Sequence, residues 1–174
     1  MRSVRVLITL GFALVSFSAT VPAKEKETRW RTFDEGTFTL EVPVWLKKVH
    51  DRPLHSHAGE YYARSRMRVN FDEIAAGASN AQKGKTQHDN LARKFASGPQ
   101  DESSTEFIKK IGDRYAKISV SYSEKWLEAG YPGRNAVEVL VPNPSGGHLS
   151  LWITFRDPGE TPIALRIAKS IAFK

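Results

Sequence analysis

Two clusters of side chains in this 174-residue chain have the types and spacing to do chemistry. The first is His50, His55 and His57, followed by Glu60. Imidazole nitrogen suits zinc, copper or nickel, and an H-x-H pair on a strand puts both rings on one face, so these four residues are a candidate metal site. Their spacing matches no established metal motif. The second cluster is Arg64, Arg66 and Arg68 with Tyr62. If this stretch is extended, residues two apart share a face about 6.5 to 7 Å from one another, and three guanidinium groups then stand in a row. With the aromatic Trp152, they form a candidate surface for an anionic or protein partner. The competing explanation is a solvated sheet face on which acidic residues of neighbouring strands, such as Glu41 and Glu138, neutralise the arginines.

Catalytic patterns are missing. The chain has no cysteine nucleophile, no G-x-S-x-G elbow, no H-E-x-x-H and no glycine-rich phosphate loop. Ser145 and His148 lie close in sequence, but between Pro142 and His148 the residues are those of a hairpin tip, where serine and glycine serve the turn. A non-enzymatic protein is expected, with no cofactor.

The elements that must position these groups are clearest in the last forty residues. Val137, Val139 and Val141 alternate with polar or outward positions. Pro142 to Gly147 supply turn chemistry, and Leu149, Leu151, Ile153 and Phe155 alternate again, which is a hairpin with one apolar face. Asp157, Pro158 and Gly159 break the strand. A helix follows, capped by Thr161 and begun by Pro162, with Ile163, Ile167 and Ile171 on one stripe. Earlier, Trp30 to Phe33 and Phe38 to Val42 predict a first hairpin around Asp34, Glu35 and Gly36. Pro43 ends it, and Trp45 and Leu46 tuck under the sheet. Lys47 to Gly59 is polar, interrupted by Pro53, and reads as a loop. Glu60 to Ile74 reads as one long strand or two short ones. A thin apolar stripe, Leu91, Ala92 and Phe95, predicts a surface helix over Thr86 to Ala96. Phe107 to Ile111 and Arg114 to Ser123 form a second hairpin, and Trp126 to Arg134 is a connector.

The expected fold is α+β: a mostly antiparallel sheet of about seven strands with helices packed against it, including one at the C-terminal end. Trp152 and Leu140 point away from the main apolar rows, so the second sheet face needs partial cover, for which the central helix and the Trp45 segment are the candidates.

Residues 1–23 have the pattern of a secretory signal: Arg2 and Arg5, an apolar run from Val6 to Phe17, and small residues ending at Ala23, with Ala19 the alternative cleavage point. The run of about 12 residues is short of the ~20 that span a bilayer. The expectation is a flexible leader at 24–29, a single domain over 30–174, no transmembrane segment after cleavage, and a periplasmic or secreted location. With no cysteine, neither a disulfide nor the usual lipid attachment point is available. Taking Arg2 and Arg5 from the 26 basic residues leaves 24 against 19 acidic, a net charge of +5. That moderately basic balance serves solubility and gives weak attraction to acidic surfaces. Nucleic acid is not expected, because an exported chain without an aromatic-basic recognition motif does not meet it.

Gly36 to Pro43 (G-T-F-T-L-E-V-P) followed by Trp45, the paired hairpins and the closing Ile167 to Phe173 (I-A-K-S-I-A-F) resemble the PsbP and Mog1 group of α-β-α sandwich proteins and the bacterial envelope proteins of that fold. The resemblance covers most of Trp30 to Phe173 and rests on core residues. It implies a non-enzymatic protein that binds, positions or stabilises other macromolecules, and it transfers no functional residue.

Overall fold

A computed structural model describes residues 28–54, 56–63, 66–75, 77, 81–128 and 130–174. Ten strands form two antiparallel sheets among these residues. The smaller sheet has the order β1-β2-β10, with β1 Trp30–Asp34, β2 Phe38–Pro43 and β10 Ala172–Phe173. Gly36, with φ of 87°, makes the tight turn of its hairpin. The larger sheet has the order β3-β4-β5-β9-β8-β7-β6. Its strands are β3 Lys47–Leu54, β4 Ser56–Ala63, β5 Met67–Ile74, β6 Glu106–Ile111, β7 Arg114–Tyr122, β8 Asn135–Pro142 and β9 His148–Phe155. The helices are α1 Ala81–Ala96, the single turn α2 Lys125–Glu128, and α3 Thr161–Lys169, which a 3-10 turn at Pro158–Glu160 precedes. The chain is therefore mixed α+β with a C-terminal helix, as its patterning predicts.

Alternation decides which face of the large sheet is dry. Phe71, Leu151, Val139, Ile118 and Phe107 stand in register across five strands, and all five are buried. Against this inner face pack Phe38, Leu40 and Val42 of β2 and Ala164, Ile167 and Ala168 of α3, each with no exposed surface. Burying a valine, leucine, isoleucine or phenylalanine side chain contributes about 1.5–3 kcal/mol, so Phe38, Leu40, Val42 and Ile167 make this interface a substantial source of stability. Ile171 is buried just past the end of α3 and leads into β10. There Lys174 bonds the Asp34 carboxylate of β1, and that hydrogen bond, with a further one from the Gly36 amide, holds the Asp34 carboxyl below its ordinary 3.8.

Several expectations need correction. Lys47 to Gly59 is not a loop: it supplies all of β3 and the start of β4. Because β3 is an edge strand, it needs no apolar alternation of its own and tolerates Pro53, whose missing N–H would break a central ladder. Glu60 to Ile74 falls on two strands, the second of the two expected arrangements, while the central helix starts at Ala81, before the predicted Thr86. Thr161 does not cap α3. The 3-10 turn delivers the chain already helical, so the capping falls to Asp157, whose side chain accepts from the Gly159 amide, while the Thr161 hydroxyl donates to the Pro158 carbonyl. Trp45 does not cover the second sheet face. It packs against the core, with the Arg66 guanidinium 4.0 Å from its ring centre.

Candidate functional site on the outer sheet face

The outward residues of the large sheet are those that alternate with its core rows. Along β5 they are Arg68, Asn70 and Asp72; in register on β9 stand Thr154, Trp152 and Ser150; on β8, Ala136, Glu138 and Leu140; on β7, Ser121, Ser119 and Lys117. Such an array of polar groups on central strands departs from the apolar composition of the inner face, and only part of it is covered.

α1 covers one side. It lies across β6, β7 and β8, with Leu91 buried and His88 and Phe95 both against Tyr115, at 5.5 and 5.4 Å between ring centres. Its first turns approach the β8–β9 hairpin tip so closely that a Cβ on Gly84 would stand 2.6 Å from the Gly147 carbonyl oxygen. The connector before β8 covers the other side: the Tyr131 ring lies 5.0 Å from the Arg68 guanidinium, and its hydroxyl accepts from the Asn70 amide at 3.4 Å. Between the two covers, a groove runs over β7, β8 and β9. One part, of about 260 Å³, is floored by Trp152, Glu138, Ser119 and Ser150. The other, of about 490 Å³, lies under α1 and is edged by Asn90, Arg93 and Lys94. Lys117 and Leu140 line both.

Charges in the groove are unevenly distributed. Lys117 pairs with Glu106 at 2.7 Å, and Glu138 accepts from the Ser121 hydroxyl at 2.8 Å. Arg93 donates to the Asn90 side chain at 2.5 Å, and the exposed Lys94 ammonium has no acidic partner among the described residues. Beside the groove, Arg68 Nε, Asn70 Oδ1, Asp72 Oδ1 and Thr154 Oγ1 are sealed from solvent without a hydrogen-bond partner among the described residues. All four belong to this same outward face.

The structure brings Arg68 and Trp152 together on that face, and it places Tyr62 directly opposite Arg68 in the β4–β5 register. The side chain of Tyr62, and Arg64 as a whole, lie outside the described residues. Among the described residues, Arg66 and Arg68 do not stand in the predicted row, because Arg66 lies in the turn before β5. Arg66 sits in that turn, over Trp45 and bonded to the buried Glu160. Arg68 pairs with Glu60 at 2.9 Å, and Glu41 pairs with Arg166 at 3.3 Å. Neutralisation by neighbouring acids therefore occurs, with Glu60 and Glu160 in the places expected of Glu41 and Glu138.

Of the histidine cluster, His55 and the side chains of His50 and His57 lie outside the described residues. Their backbone register sets His50 opposite Glu60 and His57 opposite Glu73. Among the described residues, no three His, Asp or Glu side chains gather as a metal-binding group, and no helix is long and apolar enough to cross a membrane. Ser145 sits in the β8–β9 turn, its amide bonded to Asn143 and followed by Gly146 and Gly147 at φ of 103° and 76°.

Sequence reasoning missed the α1 side of the groove. Arg93 and Lys94 are two ordinary basic residues on a helix of thin stripe, and only the docking of α1 over Lys117 and Leu140 turns them toward a shared space. Comparison with known proteins assigns no family, since no family model and no curated protein matches the chain.

Proposed function

We propose that this chain is an exported, non-enzymatic binding or accessory protein of the bacterial cell envelope, engaging an anionic or protein partner through the outer face of its seven-stranded sheet. The observation that carries this reading is the half-covered polar groove on central strands, with Trp152 in its floor. Central strands that serve packing alone are apolar on both faces or openly solvated on one, and this face is neither. A periplasmic or secreted location follows from the signal-like residues 1–23. The α-β-α sandwich of the PsbP and Mog1 type belongs to the same proposal; α1 on the outer face and α3 on the inner face support it. Of the five predicted contact residues, Trp152 has the position that favours contact, in the groove floor, whereas Arg68 is paired with Glu60 and lies beside Tyr131. Arg66 is held by Trp45 and Glu160 and acts in the fold.

Blocking the groove tests the reading. Ser119 is half-buried in its floor, and Ser119→Trp fills the space from a strand position that accepts aromatic residues. In affinity capture from a cell-envelope extract, the wild-type protein is expected to retain a partner that the equally stable Ser119→Trp variant loses. Equal retention by both removes the groove as the contact surface.

A second reading, metal binding through His50, His55 and His57 with Glu60, draws on the register that sets His50 opposite Glu60. Protein purified without a histidine tag, loaded with zinc, copper or nickel and then desalted, is expected on this reading to keep near-stoichiometric metal by elemental analysis. A content near zero eliminates it.

A further inference from the structure

Resting on the binding reading, we propose that the groove takes an acidic glycan, one sugar seated on Trp152 and a carboxylate held by Arg93 and Lys94. Three features of the site select this class.

The first is the pairing of an indole with polar neighbours. Trp152 lies in the floor, flanked in register by Asn70 and Glu138, with Ser119 and Ser150 beside it. A pyranose ring has an apolar C–H face and a rim of hydroxyls that both donate and accept. The negative face of an aromatic ring attracts the former, and hydroxyl and carboxylate side chains satisfy the latter. Glu138, bonded on one oxygen by Ser121, suits a donating sugar hydroxyl and would repel an acid at this end.

The second is the cationic far end. Arg93 and Lys94 edge the space under α1, and Lys117 lies between the two ends. Among the described residues of α1, Asp89 is the one acid against Lys83, Lys85, Arg93 and Lys94. An arginine and a lysine together hold a carboxylate through charge-assisted hydrogen bonds.

The third is shape. The larger space, about 490 Å³, falls in the range of roughly 300–1,000 Å³ typical of small-ligand sites, and the smaller, about 260 Å³, shares Lys117 and Leu140 with it as lining residues. A recessed floor between α1 and the connector admits a narrow chain of rings. A flat bilayer cannot reach it, which argues against a lipid surface as the natural ligand.

The test uses purified protein, a trigalacturonate and a muramic-acid-containing disaccharide as acidic probes, maltotriose as the uncharged probe, and phosphatidylglycerol vesicles as the membrane probe. Binding is read by calorimetry and by tryptophan fluorescence. At least one acidic sugar is expected to bind and maltotriose to bind more weakly. The doubly exposed Arg93→Glu, Lys94→Glu variant should weaken the acidic sugar about tenfold or more, and added salt should weaken it further. Trp152→Phe should diminish the fluorescence response while keeping the fold. Failure of both acidic sugars, equal binding of maltotriose, indifference to the charge reversal, or vesicle binding stronger than sugar binding each overturns the proposal. If the sugars fail while Ser119→Trp still abolishes capture of an envelope protein, the binding reading stands and the glycan falls. If the Ser119→Trp variant changes neither, both fall.

Discussion

Phe38→Ala is expected to lower the unfolding free energy by about 3–5 kcal/mol, the range for removing a fully buried aromatic side chain. Phe38 has no exposed surface. It projects from β2 toward the large sheet, where its ring meets Phe71 edge-on at 5.3 Å between centres, and it also faces Phe173 of β10 at 6.4 Å. The loss therefore combines transfer energy, a cavity between two sheets, and favourable ring contacts of about 0.5–1.5 kcal/mol each. Neither sheet can close over the gap, because each is fixed by its own ladder. Against a total stability of about 5–15 kcal/mol, this one truncation removes a large share. Urea denaturation should show the midpoint falling with the slope unchanged, and Phe38→Leu should cost much less. A loss below about 1 kcal/mol, well short of the core range, would mean the two sheets do not share the core described.

Gly84→Ala is expected to destabilise, against the ordinary rule for helices. In a free helix this substitution gains about 1 kcal/mol. Here the new Cβ would stand 2.6 and 2.7 Å from the Gly147 carbonyl oxygen and amide nitrogen, and 3.0 Å from the Gly146 carbonyl carbon. These are backbone atoms of a tight turn and cannot swing aside as a side chain can. The helix must move instead, at an overpacking cost of about 1–3 kcal/mol that exceeds the propensity gain. Because α1 forms one wall of the groove, the same variant should also weaken partner capture. The nearby Lys85→Ala, on the exposed face of α1, is the control and should be close to neutral in both. A raised melting temperature for Gly84→Ala would show that α1 does not dock on the hairpin tip.

What the sequence revealed and concealed divides along one physical line. The β8–β9 hairpin and α3 were legible because their residues bury one face, and burial imprints a period of two or of four on the apolar positions. The same logic placed Trp152 and Leu140 on a second face. β3 was hidden because an edge strand answers mainly to hydrogen bonding with β4, which leaves no apolar signature. The arginine pattern was misleading for a related reason: alternation assigns faces only while the chain stays extended, and Arg66 lies in the turn before Met67, away from the face that Tyr62 and Arg68 share by register. The groove depends on pairings far apart in the chain, β5 with β9 and α1 with β7 and β8, and no local pattern encodes those.

The β1-β2-β10 sheet has a consequence for the order in which the chain can fold. β10 pairs with β2, and the Lys174–Asp34 bond joins groups 140 residues apart. β5, which pairs locally with β4, likewise gains its second partner only once β9 has formed. Closing such long loops costs entropy before any contact rewards it, though each doubling of length adds only about 0.6 kcal/mol, and topologies rich in distant pairings fold slowly. The β6–β7 and β8–β9 hairpins are local and can form early. The first hairpin cannot complete its sheet until residues 172–174 arrive, so β2 keeps an unpaired edge and Phe38 an uncovered ring throughout that interval. Kinetic exposure, more than equilibrium stability, is the vulnerable property of this architecture, and it is concentrated in the segment from Trp30 to Pro43.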